Sequence, residues 1–225
     1  MFTLKFFEFF NALTANNNRD WFNAHKADYR QAVVEPMCAF IEAMAPRLNK
    51  ISPHFVADPR PHGGSMFRIY RDVRFSRDKR PYKTHAACQF RHQLGKDAHT
   101  VGFYVHLSTE EAVFGGGIWL PPGDELLKIR NTIVDNPHAW RQIKSSPAVK
   151  KYFGGIGGDG LKRPPRGFDA EHEHIEDLKR KSFFLMRRAP PEIILDVGFV
   201  REVEKTFRAA MPLMDYICYA QDIDI

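Results

Sequence analysis

Hydrophobic positions near the N-terminus recur with the spacing of an α-helix. An amphipathic helix is predicted over residues 4–15, with Thr3 as its N-cap, because apolar side chains follow one another at intervals of three and four: Phe6, Phe9, Phe10 and Leu13. The run Asn16–Asn18 ends this pattern, and a second helix is predicted from near Arg19, capped by Asn17 or Asn18. Pro36 should end or kink that helix, and the helical spacing resumes as far as Leu48.

The middle third of the chain has the pattern of β-strands. Four candidate strands are predicted, at residues 66–70, 86–92, 101–107 and 112–120. Residues 108–111 have the composition of a turn between antiparallel strands. Within the last candidate strand, Gly115–Gly117 indicates a bulge or a close approach of another backbone.

Helical spacing returns after Gly123. Apolar residues from Leu126 to Val134 form one helical face, and Pro137 and Pro147 are placed to begin two further helices. One more strand is predicted over residues 182–187, and two helices are expected to finish the chain. These elements favour an α+β fold, in which a mainly antiparallel central sheet is flanked by N-terminal and C-terminal helices. Without an internal repeat or a low-complexity linker, residues 1–225 are predicted to form a single domain.

Composition fits a globular intracellular protein. Hydrophobic residues make up 44% and charged residues 27% of the 225 residues, so the chain can form a buried core. No leader pattern and no apolar run of about 20 residues occurs, so we expect a soluble, cytoplasmic protein. Cys38, Cys88 and Cys218 are odd in number and far apart, which favours free thiols over disulfides or a zinc site.

Positive charge is concentrated in the basic segment, residues 67–84. Seven Lys or Arg and two Asp give it a net charge of +5, against +6 for the whole chain. Six of the basic residues recur at every third position, which would distribute them around a helix or over both faces of a strand. They can therefore converge on one ligand only if a short strand leads into an ordered loop.

The basic segment predicts a site for a phosphorylated or other anionic small molecule. Arginine offers a planar donor fork that suits phosphate and carboxylate groups, whereas lysine acts as a point charge. The predicted anion-binding residues are Arg68, Arg71, Arg74, Lys79 and Lys83. If chemistry occurs there, Asp72 and Asp78 are the candidate bases, and Ser76 and Tyr82 the candidate hydroxyl groups. Whether the protein is an enzyme stays open.

Three alternatives remain for the same segment. The arginines and aspartates can form a lattice of ion pairs that stiffens a loop. The segment can also bind nucleic acid, because aromatic residues alternate with the basic ones: Phe67, Tyr70, Phe75 and Tyr82. Finally, it can serve a non-catalytic adaptor that docks an acidic protein.

Other suggestive stretches carry simpler interpretations. The basic run 162–166 is interpreted as a solvated loop, with completion of the same site as the alternative. Residues 155–160 match G-x-G-x-x-G, but prolines follow where a dinucleotide site needs a helix, so a flexible turn is expected. Residues 171–174 are interpreted as the lead into a helix rather than a metal site. No cofactor and no metal are predicted, and Trp21 and Trp119 are assigned to the core.

Several motifs together resemble one known family. They are an Asn-Asn-Arg-Asp-Trp-Phe element at 17–22, the long element at 67–83, Gly-Gly-Gly-Ile-Trp-x-Pro at 115–121 and Leu-Lys-Arg-Pro-Pro-Arg-Gly-Phe at 161–168. The chain is similar in these motifs to the conserved hypothetical family catalogued as domain of unknown function 2461, with the Asn-Asn element slightly shifted. The resemblance spans nearly the whole chain and implies a single α+β domain. It implies no reaction, cofactor or partner.

Overall fold

The computed structural model describes residues 1–95 and 97–225. Its N-terminal part is helical and comprises α1 (Leu4–Ala15), α2 (Arg19–Ala24), α3 (Lys26–Tyr29), a π-helical turn (Arg30–Val34) and α4 (Glu35–Asn49). The helix predicted over residues 4–15 is confirmed. Thr3 occupies its N-cap position but its side chain makes no capping hydrogen bond, whereas the Asn18 side chain caps α2 by accepting from the Trp21 backbone N–H.

Pro36 does not end the helical path, but the regular α-helical pattern is interrupted just before it, at Arg30–Val34. Pro36 lies in the first turn of α4, directly after the π-helical turn, and it has no N–H to donate to the carbonyls of that turn. The helical path from Lys26 to Asn49 widens at the π-helical turn and then continues.

The middle of the chain forms an antiparallel sheet of strands β1 (His85–Arg91), β2 (Gly102–Ser108), β3 (Ala112–Ile118) and β4 (Phe183–Ala189), paired in the order β1-β2-β3-β4. The predicted turn at 108–111 joins β2 to β3, and the Ser108 N–H donates to the Glu111 carbonyl (3.0 Å). Three of the four strands predicted in the middle third are therefore confirmed within two residues, and β4 matches the strand predicted over 182–187.

The fourth candidate strand, residues 66–70, is not a regular strand. Met66 forms an isolated bridge with Cys88 of β1, and Tyr70 forms another with Tyr82. Between them the backbone changes partner, because the Phe67 N–H donates to Ala87 while the Ile69 carbonyl accepts from Lys83. Pro81 has no N–H to extend the second pairing into a ladder.

The C-terminal half supplies α5 (Gly123–Asp135), α6 (Pro137–Ser145), α7 (Pro147–Phe153), α8 (Ile175–Leu178), a 3₁₀ turn (Pro191–Leu195) and α9 (Phe199–Ala220). The helix starts predicted at Gly123, Pro137 and Pro147 are confirmed. The prediction of two final helices is wrong, since α9 continues through Pro212. Its buried positions keep the helical spacing on both sides of the proline, and their packing outweighs one lost backbone hydrogen bond.

One face of the sheet packs against α9 and forms the core. Phe103 of β2 stacks on Phe207 of α9 with ring centroids 4.5 Å apart, and Gly116 of β3 faces Met214. A single cluster of buried apolar residues runs from the N-terminal helices through this face to α9. Side chains that alternate with these, among them Tyr104 and His106, lie on the opposite face, which we call the outer face of the sheet.

The Gly115–Gly117 run is a close backbone approach rather than a bulge, because the register between β2, β3 and β4 continues through it. A Cβ atom on Gly115 would lie 1.8 Å from the Leu185 carbonyl oxygen, and one on Gly117 (φ 151°) would lie 2.2 Å from that of Phe183. Glycine therefore lets β4 pair with β3 at this point.

The predicted fold class is confirmed: α+β, with a central antiparallel sheet between N-terminal and C-terminal helices. Within the described residues, every helix is too short or too polar to cross a membrane. The assignment of Trp119 to the core is wrong, because its side chain is 53% exposed and stacks on His99.

Candidate anion-binding site

The basic segment runs along the open edge of β1 and then forms a protruding loop. It leaves the sheet after Phe67, and its two ends pair with each other through Arg71 N–H to Pro81 carbonyl (2.9 Å) and Lys83 N–H to Ile69 carbonyl (2.8 Å). A short extended stretch therefore leads into a loop, as convergence of the basic residues would require, but the stretch is not part of a regular strand ladder.

Asn17 fixes the base of this loop. Its side-chain amide donates to the Tyr82 carbonyl (3.0 Å) and accepts from the Tyr82 N–H (3.1 Å), so one side chain satisfies both backbone groups. The Tyr82 ring is buried and stacks on Phe22 of α2 at 4.1 Å. The two asparagines therefore act differently: Asn18 caps α2, and Asn17 is hydrogen-bonded to the backbone of the basic segment at Tyr82.

Most of the arginines in the loop are held by its two aspartates. Asp72 accepts from Arg74, and Asp78 accepts from both Arg71 (2.7 Å) and Arg80 (2.8 Å). Hydrogen bonds from Arg74 lower the pKa of Asp72 to about 2, and those from Arg80 and Arg71 lower the pKa of Asp78 still further. This part of the segment is the ion-pair lattice that the sequence left open as an alternative.

The hydrogen bonds to Asp72 and Asp78 also affect whether these residues can act as catalytic bases. A carboxylate with so low a pKa is a weak proton acceptor at neutral pH, which counts against Asp72 and Asp78 as bases. The hydroxyl of Tyr82 belongs to a buried ring, and burial raises its pKa. Ser76 lies at the loop tip, where its N–H donates to the Val73 carbonyl (3.4 Å).

Arg68 and Lys83 differ from the other cations of the segment. Lys83 donates through Nζ to the backbone carbonyl of Arg68 (2.9 Å), and burial together with the Arg68 charge lowers its pKa. Among the described residues, neither side chain forms an ion pair with a carboxylate. Two like charges thus lie together, one of them partly desolvated, and the carboxylate shown to interact with Arg68 is that of Asp72, which is itself bonded to Arg74.

Aromatic and imidazole rings lie near Lys83 on the outer face of the sheet. We call the set the Lys83 face: Phe67, Arg68, Lys83, His85, Tyr104 and His106. Lys83 Nζ lies 5.6 Å from the centroid of the Phe67 ring, which in turn lies 6.2 Å from that of Tyr104. The two imidazole rings have centroids 4.2 Å apart, and the Tyr104 ring lies 6.5 Å from His106.

Burial keeps both histidines of the Lys83 face neutral at pH 7. It lowers the pKa of His85 to about 4, helped by the nearby His106 and Lys83. Burial also lowers the pKa of His106, while Glu111 opposes and Arg188 reinforces that effect. Burial raises the pKa of the Tyr104 hydroxyl to about 12. Several titratable groups with shifted pKa values around one cation pair are typical of a functional site.

The sequence prediction included Lys83 but missed His85, Tyr104 and His106. Tyr104 and His106 alternate with the apolar residues of β2, which places them on one face. That signal is present in the sequence. What it lacked was the pairing of β1 with β2, because only the register brings His85 beside His106.

The aromatic residues proposed to stack on nucleic acid are split between two environments. Tyr82 is buried and Phe67 is half-buried, whereas Tyr70 and Phe75 are exposed, and Phe75 is 95% accessible at the loop tip. The Arg74 guanidinium lies 5.9 Å from the Phe75 ring.

The second basic run lies at the opposite edge of the sheet. Residues 157–161 pair with β4 and the residues before it, through Gly157 to Phe184 and Gly160 to Arg180. Lys162, Arg163 and Arg166 follow and are exposed, so they do not complete the site beside β1. The prediction of a flexible turn at 155–160 is therefore wrong, because Gly157 pairs with Phe184 of β4 and Gly160 pairs with Arg180.

The acidic and histidine-rich residues 171–174 have structural contacts. His174 is buried, and its Nε2 bonds the Pro137 carbonyl at the start of α6 (3.0 Å). Glu173 pairs with Arg141 of the same helix. Among residues 1–95 and 97–225, no group of three His, Cys, Asp or Glu side chains has the proximity needed to bind a metal ion.

Comparison with known proteins yields one match. The family model described as conserved hypothetical protein DUF2461 matches residues 5–216. No curated protein and no solved structure matches the chain. The match covers the N-terminal helices, the whole sheet, the basic segment and most of α9, and the chain therefore belongs to the DUF2461 family of conserved hypothetical proteins.

Proposed function

We propose that the protein binds a small anionic molecule, of the phosphorylated class, on the Lys83 face. The observation that carries the proposal is the Arg68–Lys83 pair, in which two cations lie together with no ion-paired carboxylate among the described residues. Partial burial of an ammonium group beside a second cation raises the free energy of the folded protein. A bound anion would offset this unfavourable free energy, so the position beside Arg68 and Lys83 favours anion binding.

The contacts divide the predicted anion-binding residues into direct ligands and residues that stabilise the loop. Arg68 and Lys83 are the direct ligands in the proposal. Arg71 and Arg74 are already bonded to aspartates, and Lys79 donates to the Val73 carbonyl (2.9 Å). These three stiffen the loop and add to the positive potential around the site.

The rings beside the cation pair favour a ligand with a planar apolar part. Phe67 and Tyr104 offer aromatic surface within 6.2 Å of each other, while neutral His85 and His106 can donate or accept hydrogen bonds. Such a combination of apolar surface and a few polar groups is typical of small-molecule sites.

Thermal unfolding with a panel of anions tests the proposal. Inorganic phosphate, phenyl phosphate, sugar phosphates and nucleotides would be added at low and moderate salt. A ligand at about 100 times its dissociation constant adds about 2.7 kcal/mol to the free energy of unfolding, which for this size raises the Tm by roughly 5–11 °C.

Two charge-matched variants decide whether the effect belongs to the Lys83 face. Arg68→Gln should abolish most of the shift, whereas Arg77→Gln should preserve it, because Arg77 is exposed in the same segment without an ion pair among the described residues. An equal loss in both variants would reduce the proposal to general electrostatic attraction, and no shift with any anion would refute it.

A second candidate function is binding of single-stranded nucleic acid at the loop tip. It is favoured by Phe75, which is almost fully exposed beside the cations of the loop and is available to stack on a base. Binding of an oligonucleotide should then weaken steeply with salt and be reduced by Phe75→Ala. A salt-insensitive or absent affinity would remove this candidate and leave docking of an acidic protein as the remaining role for the tip.

We also propose a cytoplasmic location. Cys38, Cys88 and Cys218 are all free, and burial raises the pKa of each thiol, which suits proteins of a reducing compartment. Fluorescence microscopy of a tagged full-length chain would test the proposal, and export of the chain would contradict it.

A further inference from the structure

The N-terminal helices line a cleft that is remote in sequence from the basic segment. It is a cleft of about 280 Å³ between α1, α2, α3 and the π-helical turn. We call it the Trp21 cleft. This volume lies just below the range of sites for drug-sized molecules, so it suits a smaller ligand.

Its wall is a pair of stacked rings. Trp21 and His25 lie 4.1 Å apart with an interplanar angle of 14°, and Phe9 contributes a third ring 5.9 Å from Trp21. His25 Nδ1 donates to the Trp21 carbonyl oxygen (2.8 Å), which fixes the imidazole in place. Because Nδ1 carries the proton of that bond, Nε2 is the ring nitrogen that can accept a hydrogen bond from a ligand.

Its rim carries two carboxylates and one ammonium group. Glu8 and Asp28 line the cleft, and within residues 1–95 and 97–225 neither forms an ion pair. Lys5 also lines it, one helical turn before Glu8, yet the two are not paired. The rim therefore has an excess of negative charge around an aromatic wall.

From this combination we infer that the Trp21 cleft binds a small organic ammonium ion. Aromatic faces attract cations through their quadrupole, and carboxylates on the rim offer charge-assisted hydrogen bonds to N–H donors. The His25 acceptor adds a third position for an ammonium proton. The inference does not rest on the anion site, since the two places share no residue.

Intrinsic fluorescence gives a direct test. In a Trp119→Phe background the exposed indole is removed, and Trp140 is fully buried, so Trp21 is the indole that can sense a ligand. The protein would be titrated with n-butylammonium and tetramethylammonium, and separately with n-butyrate and n-butanol as anionic and neutral probes of similar size.

A saturable change with the ammonium ions, and a much weaker one with butyrate or butanol, is expected. Glu8→Gln combined with Asp28→Asn should weaken ammonium binding by about tenfold, since exposed ion pairs contribute modestly. Asp20→Asn is the matched control, because Asp20 is an exposed acid of α2 that does not line the cleft. It should leave the affinity unchanged.

Three results would overturn the inference: no saturable response to either ammonium ion, an equal response to butyrate, or an affinity that the double carboxylate variant leaves intact. Circular dichroism of each variant would be recorded first. Because Glu8 and Asp28 are exposed, their replacement by amides should leave the helices folded.

Discussion

At the scale of single residues, the buried carboxylate of Asp177 fixes the position of several elements. It accepts hydrogen bonds from Trp140 Nε1 (2.9 Å), Lys144 Nζ (2.6 Å) and Arg180 Nε (3.0 Å), and so joins α6, α8 and the approach to β4. Burial alone would raise its pKa, but the bonds from Lys144, Trp140 and Arg180 outweigh that and hold the pKa below its usual value.

Replacing Asp177 by Asn should therefore lower the free energy of unfolding at pH 7 by about 2–3 kcal/mol, because three donors lose a charged acceptor. The contribution is present above the unfolded-state pKa of about 3.9 and is lost as the pH falls through the lower folded-state value. Urea unfolding at pH 7 and at pH 3 measures both effects, and the variant should differ less from wild type at the lower pH.

Asp215→Asn supplies the control for that comparison, since Asp215 is exposed on α9 and should change stability by no more than about 0.5 kcal/mol. If Asp177→Asn had an equally small effect at pH 7, the three hydrogen bonds would not be the source of stability described here.

At the scale of elements, the pairing of β3 with β4 depends on the absence of side chains at Gly115 and Gly117 of β3. Gly115→Ala would bring a methyl group to within 1.8 Å of the Leu185 carbonyl, so one strand must move. We expect a loss of about 3 kcal/mol or more in the free energy of unfolding. Chemical denaturation of the purified variant measures it.

Gly123→Ala is the control for Gly115→Ala. Gly123 begins α5, and an added Cβ meets nothing within 4 Å, so alanine should be neutral or should stabilise the protein by up to about 1 kcal/mol. Similar losses in both variants would show that the backbone approach of β4 is not what requires glycine at position 115.

Local patterns in the sequence were sufficient for most elements. The helix over 4–15 follows from the spacing of its phenylalanines, and the β2–β3 hairpin from the alternation around residues 108–111. The misassigned elements depend on distant partners. The strand expected at 66–70 is divided between Cys88 and Tyr82, and α9 passes through Pro212 because its buried face packs against the sheet.

The same limit applies to the candidate site. The density of charge was sufficient to identify the basic segment, but the sequence could not separate arginines hydrogen-bonded to Asp72 and Asp78 from Arg68, which forms no ion pair within the described residues. His85 and His106 are 21 positions apart, and only the register of β1 against β2 brings their rings together. Long-range contacts, which local spacing does not encode, therefore decide which residues form the Lys83 face.

At the scale of the whole molecule, one buried and two partly buried histidines with lowered pKa values make the fold sensitive to acid. The pKa of His85 is lowered to about 4, and those of His92 and His106 are also lowered, chiefly by burial. Below the unfolded-state value of about 6.5, the unfolded chain therefore binds more protons than the folded protein. Stability should fall as the pH decreases from 6.5, and for His85 the fall should continue to about pH 4, at up to about 1.4 kcal/mol per pH unit.

Thermal unfolding from pH 7.5 to pH 4.5 measures this slope. The double variant His85→Gln, His106→Gln should show a shallower decline than wild type, whereas His138→Gln, which replaces an exposed histidine of α6, should not. An identical pH profile for all three proteins would contradict the protonation states assigned to the Lys83 face.

The most direct test of the central claim is a calorimetric measurement of phenyl phosphate binding to wild type, Arg68→Gln and Arg77→Gln at one fixed ionic strength. The two variants lose the same charge from the same exposed segment, and only Arg68 adjoins Lys83. The account predicts that Arg68→Gln weakens binding at least about tenfold while Arg77→Gln stays within about twofold of wild type. Equal affinities in the two variants, or no binding to wild type, would contradict an anion site on the Lys83 face.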